Sequence, residues 1–314
     1  MKKTKTPTSI FLFAICLFYF LTPKLCFHGA KSGCELWLTT IIPALLPMCI
    51  LSNFIISANL TKPLCELLSP IFCPLFGVSK QSCYVILIGL LSGFPIGAKT
   101  CNDLLKKNVI SLCEAQYLLS FVNNASPMFL LIYIPNTIFF GHLPHFTPYF
   151  IILLSSILCS IVYRFFYINP CFHSKKSDQT ITSDDPTPDT SFINTFDEAV
   201  ISSFRTLAKI GGYIIVFSIF FNMLLVLPCP SFISLLLGSN LEMTSGIQNI
   251  SNSLLPDKIK IILTMICATS GGLSSLFQTR SVIAGSGLSF QRYCVCKLTQ
   301  TIFVLIFTYI LIIT

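Results

Sequence analysis

The sequence predicts an all-α, polytopic integral membrane protein, and three observations carry that prediction. Of 314 residues, 54% are hydrophobic and only 10% are charged, with a mean hydropathy of +0.80, whereas a soluble domain carries about 25% charged residues. Four apolar runs, 36–56, 145–167, 211–227 and 293–313, each approach the roughly 20 residues a helix needs to cross about 30 Å of hydrocarbon. The other apolar stretches are shorter and punctuated by Gly, Pro and Ser: 84–91, 118–122, 127–140, 259–268 and 273–284. Half-length helices meeting at breaks are the simplest reading of them.

Residues 1–34 form an N-terminal membrane segment and loop. A KKTK head and an apolar run over 10–21 resemble a secretory signal, but Thr22, Pro23, Lys24 and Leu25 stand where small cleavage-site residues belong. This reads as an uncleaved segment, tilted or incomplete because its run is short of the roughly 20 residues of a full span. Residues 35–168 form a first membrane repeat, 169–195 a flexible polar linker with Lys175, Lys176, Asp184, Asp185, Pro186 and Pro188, and 196–314 a second repeat. Just after the linker, 196–209 is amphipathic at helical spacing, an interfacial helix or the wet end of the next span. An offset of 178 residues, which carries Ser92-Gly93 onto Ser270-Gly271, also carries Ile110-Ser111-Leu112 onto Leu288-Ser289-Phe290. Weak internal symmetry of this kind is the trace of transporter-like pseudo-repeats with discontinuous, broken or re-entrant helices, parallel or inverted.

The breaks concentrate the polar chemistry. In LLSGFPIGAKT, Ser92, Gly93, Pro95, Gly97 and Lys99 interrupt apolar sequence; backbone freed at membrane depth survives only where protein or a water-filled cavity satisfies it. Gly93 and Gly97 permit close backbone approach and Pro95 removes a donor. The NNASP segment adds Asn123, Asn124, Ser126 and Pro127, uncharged donors and acceptors that suit a polar, neutral ligand, or that satisfy the neighbouring broken helix. In the second half LEMTSG supplies Glu242, Thr244, Ser245 and Gly246, and TSGGLSSLFQT supplies Gly271, Gly272 and Gln278. Lys99 either snorkels to the interface or faces a cavity, and Glu242 is a proton or cation site or a loop residue. Lys99, Glu242, Asn123 and Asn124 are expected to line one shared central cavity.

Other chemistries are excluded by spacing. GFPIGAKT is not a phosphate loop, because three residues instead of four separate Gly93 from Gly97 and Ala98 precedes Lys99. The fifteen cysteines lack the paired spacing of a zinc site, and Cys294 and Cys296 have no further ligands nearby, so neither a metal nor a cofactor is expected. The four histidines fall in loops or at span ends and no serine sits in a nucleophile elbow, so no enzyme is expected. The formal charge of +8 sits largely on loops and ends, which is headgroup anchoring rather than a nucleic-acid face. The expected partners are the lipid bilayer and a small polar solute, not nucleic acid; the sequence does not fix the oligomeric state.

LIGLLSGFPIGAKTCNDLL, the NNASP break after EAQYLLSF, LEMTSG, and GGLSSLFQT followed by LSFQRYCVCKL together resemble the YlbJ family of sporulation integral membrane proteins, from about Trp37 to the C-terminus. That resemblance implies Gate domains of the nucleoside-recognition type, related to segments of concentrative nucleoside transporters and of ferrous iron transporter B. It also implies a multi-pass protein of the bacterial inner membrane, in the mother-cell or forespore membrane, required for spore cortex or envelope formation. The implied architecture is transporter-like, for a small polar solute; the alternative is a non-transporting scaffold or signalling component of spore assembly. Ser245 stands where the family often has Asn, and Ser275 and Leu276 stand where bulkier or polar residues are common.

Overall fold

The computed structural model describes residues 13, 16–58, 60–136, 144–171, 192–226 and 231–313, and all the regular structure among them is helical. Among the described residues, five helical segments are long and apolar enough to cross a membrane: Pro23–Ser57, Thr147–Phe166, Phe192–Leu225, Asp257–Ile283 and Phe290–Ile312. Large apolar side chains such as Leu67, Phe165 and Leu298 point outward, as hydrocarbon solvent requires.

The first long element, α1 (Pro23–Ser57), extends the expected span 36–56 toward the N-terminus. Just before Pro43 it passes through a wider π turn over Trp37–Ile41, in which Ile42 N–H donates to the Trp37 carbonyl, a shift of register beside a proline that has no N–H to offer the Thr39 carbonyl; Pro47 lies further along the same helix. α1 lies along α7 (Phe192–Val226). Gly29 and Gly33 make this approach possible: a Cβ on either would stand 2.8 Å from the Cα of Ile219 or Ile215, the small-residue spacing that lets membrane helices touch backbone to backbone. Trp37 then covers Gly211 and donates its indole N–H to the Leu207 carbonyl at 3.0 Å. The amphipathic stretch 196–209 and the apolar run as far as Val226 thus belong to one helix, of which the polar part is the N-terminal end. Residues 172–191 of the expected linker and residues 1–12 lie outside the described residues.

After α2 (Thr61–Phe76), the short helices α3 (Ser82–Leu91), α4 (Ile96–Lys106) and α5 (Leu112–Leu119) form a tight group. Their contacts bury Tyr84, Ile86, Tyr117 and Leu118. A non-helical segment through Asn124 leads to a π turn at Phe129–Tyr133, then to α6 (Thr147–Cys171). The second half contributes the hairpin α8 (Ser231–Leu241) and α9 (Met243–Asn252), then α10 (Asp257–Ser270), α11 (Gly272–Ile283) and α12 (Phe290–Thr308). α11 packs on both α4 and α7, and α12 on both α6 and α10, so the two halves of the chain interleave around the breaks.

Candidate functional site: a cavity where the breaks meet

α3 stops at Leu91 because Ser92 turns extended (φ −106°, ψ 163°), and α4 restarts after Pro95, with Ile96 N–H donating to the Gly93 carbonyl at 2.9 Å. The glycines flanking this turn clamp the next break. A Cβ on Gly89 or Gly97 would stand within 2.6 Å of the Val122 carbonyl oxygen, and one on Gly93 would stand 2.9 Å from Ser126 Cβ. The second half breaks at Gly271 and Gly272, with φ of +72° and +67°, a left-handed pair that glycine adopts without steric cost. A Cβ on Gly271 would stand 3.1 Å from the Phe94 ring, and one on Gly272 would stand 3.0 Å from the Asn240 carbonyl oxygen. Phe94 thus joins the breaks of the two halves.

Glu242 occupies the corner between α8 and α9. It is extended (φ −134°, ψ 120°), and its Oε2 accepts the Ser245 amide at 2.7 Å, capping α9. Gly246 makes the corner tight, since a Cβ there would lie 2.4 Å from Ser239 Cα. The carboxylate is only 4% exposed, and among the described residues no cation lies within ion-pair distance of it.

These elements form an open cavity of about 390 Å³, lined by Gly93, Phe94 and Ser126 from the first half and by Glu242, Thr244, Ser275 and Gln278 from the second. Thr39 to Ile41 and Pro43 to Leu45 of α1, Ile210 and Ile214 of α7, and the stacked rings of Phe129 and Tyr133 are further parts of the wall. Tyr133 Oη donates to the Thr244 carbonyl at 3.4 Å. A second cavity of about 290 Å³ is lined by Pro95, Lys99, Asn102, Asp103 and Lys106 together with Arg205 and Lys209 of α7. Ile210 and Gln278 line both cavities.

Two of the four residues expected in one shared cavity are therefore in different ones, and two are in neither. Lys99 Nζ donates to Asn53 Oδ1 and pairs with Asp103 Oδ2, each at 2.8 Å, in the second cavity. Asn123 and Asn124 point away into the protein. Asn123 Nδ2 donates to Thr279 Oγ1 at 2.9 Å and to Tyr293 Oη at 2.8 Å. Asn124 Oδ1 accepts from Lys297 Nζ at 2.9 Å and from Gln300 Nε2 at 2.8 Å. Both side-chain amides are spent on neighbouring helices. Ser92, Gly97, Pro127, Ser245, Gly246, Gly271 and Gly272 shape the walls without lining either cavity.

One residue escaped sequence reasoning. Lys297, 3% exposed in the middle of α12, donates to Asn124 Oδ1 and to Gln300 Oε1 at 2.8 Å, and its ammonium lies 4.9 Å from the centre of the Phe94 ring. The signal was available, since a lysine inside an apolar span is a functional hypothesis by default. The run 293–313 reads as apolar only on average, since Lys297 is followed by Thr299, Gln300 and Thr301.

No protein-family model matches the chain, and no solved structure matches it. It is similar to the sporulation integral membrane protein YlbJ of Bacillus subtilis (strain 168), 24% identical over 336 aligned positions that cover 94% of this chain and 81% of that protein. With the apolar helices, that relative makes the chain a multi-pass membrane protein.

Proposed function

We propose that this chain is a sporulation membrane protein that carries a small polar solute through the Glu242 cavity. The observation that carries the reading is the cavity's lining: unwound backbone from the first half faces a buried carboxylate and hydroxyl and amide groups from the second. Breaks in membrane helices that meet around a polar cavity are the arrangement by which carriers bind solutes at mid-depth. On this reading α3–α4 and α10–α11 are the paired half-helices of two Gate-like repeats, and the protein is a carrier rather than an enzyme. Ile210 and Gln278, common to the two cavities, form the wall that a solute passes. Lys106, Arg205 and Lys209 around the second cavity favour a mouth on the cytoplasmic side, where basic residues accumulate.

The similarity to the Bacillus subtilis protein supports a place in spore formation, in the mother-cell or forespore membrane and in service of the cortex or envelope. Binding is tested by thermal unfolding of the purified protein with nucleosides, nucleobases, amino sugars and dipicolinate. A true ligand at 100 times its Kd stabilises by about 2.7 kcal/mol. A panel without any stabilising member, at concentrations up to about 1,000 times a micromolar Kd, moves the weight to a non-transporting scaffold or signalling component of spore assembly.

A further inference from the structure

Resting on that reading, we infer that the solute of the Glu242 cavity bears a protonated amine, with Glu242 as its counter-ion. Among the described residues that line the cavity there is one carboxylate and no Lys, Arg or His. The carboxylate is not needed as a helix cap: Ser, Thr, Asn and Asp are the preferred caps, and a serine would accept the Ser245 amide without burying a charge. Around the carboxylate stand only neutral donors, the Ser245 and Thr244 amides and the hydroxyls of the same two residues, so its charged form is short of the hydration it has lost, and the interaction that would hold it charged is a cation.

Two further features favour an ammonium group. Thr244 is 1% exposed and lines the cavity, and its hydroxyl oxygen accepts no hydrogen bond, so an acceptor for a bound N–H stands two residues from the carboxylate. The rings of Phe129 and Tyr133, stacked at 4.8 Å, give aromatic surface of the kind cations occupy. The positive groups nearby are already engaged or lie beyond the wall. Lys297 sits against Phe94 and is bonded to Asn124 and Gln300, and Lys99 is paired with Asp103 in the other cavity. An anionic solute would face Glu242 with no compensating charge in the lining.

The test places a reporter thiol in the cavity by Ser275→Cys and measures its modification, by mass spectrometry of that peptide, with three methanethiosulfonates: aminoethyl (cationic), methyl (neutral) and sulfonatoethyl (anionic). Narrow clefts of one charge sign concentrate counter-ions by roughly 10- to 1,000-fold. The cationic reagent is therefore expected to react at least tenfold faster than the anionic one after normalisation to a free thiol, and Glu242→Gln, which keeps a cap acceptor, is expected to abolish the preference. Equal normalised rates, or a preference unchanged in Glu242→Gln, overturn the inference and leave the carrier reading standing if the neutral reagent enters. Failure of the neutral reagent to reach the reporter thiol in the folded protein overturns both.

Discussion

Substituting Gly97 by alanine inserts one methyl group where α4 meets the segment after α5. Its Cβ would stand 2.6 Å from the Val122 carbonyl oxygen and 3.3 Å from Gly89 Cα, whereas a C···O contact relaxes at about 3.3 Å or more. Both neighbours are backbone, so no side chain can turn aside, and α4 has to move by about 0.7 Å to restore that spacing. Overpacking of this kind costs about 1–3 kcal/mol, and rigid partners put it near the top of that range. The helix preference of alanine over glycine returns at most about 1 kcal/mol, leaving a net loss of about 2 kcal/mol. Gly212 in α7 is the matched control, because a Cβ there meets nothing within 4 Å, and Gly212→Ala gains the helix preference alone. The assay is thermal unfolding in detergent with a thiol-reactive fluorogenic dye, reporting the exposure of Cys83 and Cys101, both fully buried on α3 and α4. At roughly 2 °C or more per kcal/mol, Gly97→Ala should lower Tm by about 4 °C or more and Gly212→Ala should hold or raise it. An unchanged or raised Tm for Gly97→Ala would refute the clamp on Val122.

Other outcomes follow from the buried polar contacts. Lys297→Met removes a membrane-buried ammonium whose insertion costs about 3 kcal/mol, and orphans Gln300 Oε1, at about 1–3 kcal/mol, while Asn124 Oδ1 keeps its bond from Gln300 Nε2. Its Tm should therefore stay within about 3 °C of the unmodified protein, at roughly 2–4 °C per kcal/mol, and a much larger fall would show that the ammonium holds the fold together. Gln116 accepts the Ser289 amide at 2.6 Å and donates to the Ser289 carbonyl at 3.3 Å, tying α5 to the start of α12. Gln116→Leu should cost about 2 kcal/mol and accelerate hydrogen exchange across 286–292, and exchange rates there identical to the unmodified protein would contradict that tie.

The sequence made the class and the breaks legible because both are local properties. Excess hydropathy marks a membrane chain without reference to its partners, and the Gly and Pro of 92–97 and the Gly271-Gly272 pair mark their turns by backbone chemistry alone. What a side chain faces is not local. Asn123 and Ser126 are three residues apart in one polar segment, yet Ser126 lines the cavity and Asn123 is consumed by Thr279 and Tyr293, more than 150 residues away in the chain. Gly97, a site residue by motif, is a packing residue by its contact with Val122. Lys99 and Glu242, both ionisable and both beside breaks, separate into two cavities because Gln278 and Ile210 stand between them. The extension of α1 back to Pro23 was likewise hidden, since Lys24, His28, Lys31 and Glu35 interrupt the apolar run before residue 36.

The most direct test of the proposed carrier is solute uptake by the purified protein in liposomes, with labelled nucleosides, nucleobases, amino sugars and dipicolinate supplied outside. Saturable entry of at least one solute is expected, lowered at least tenfold by Glu242→Gln in protein of unchanged Tm. Entry of every solute no faster than into protein-free vesicles would contradict the assignment of the Glu242 cavity to transport.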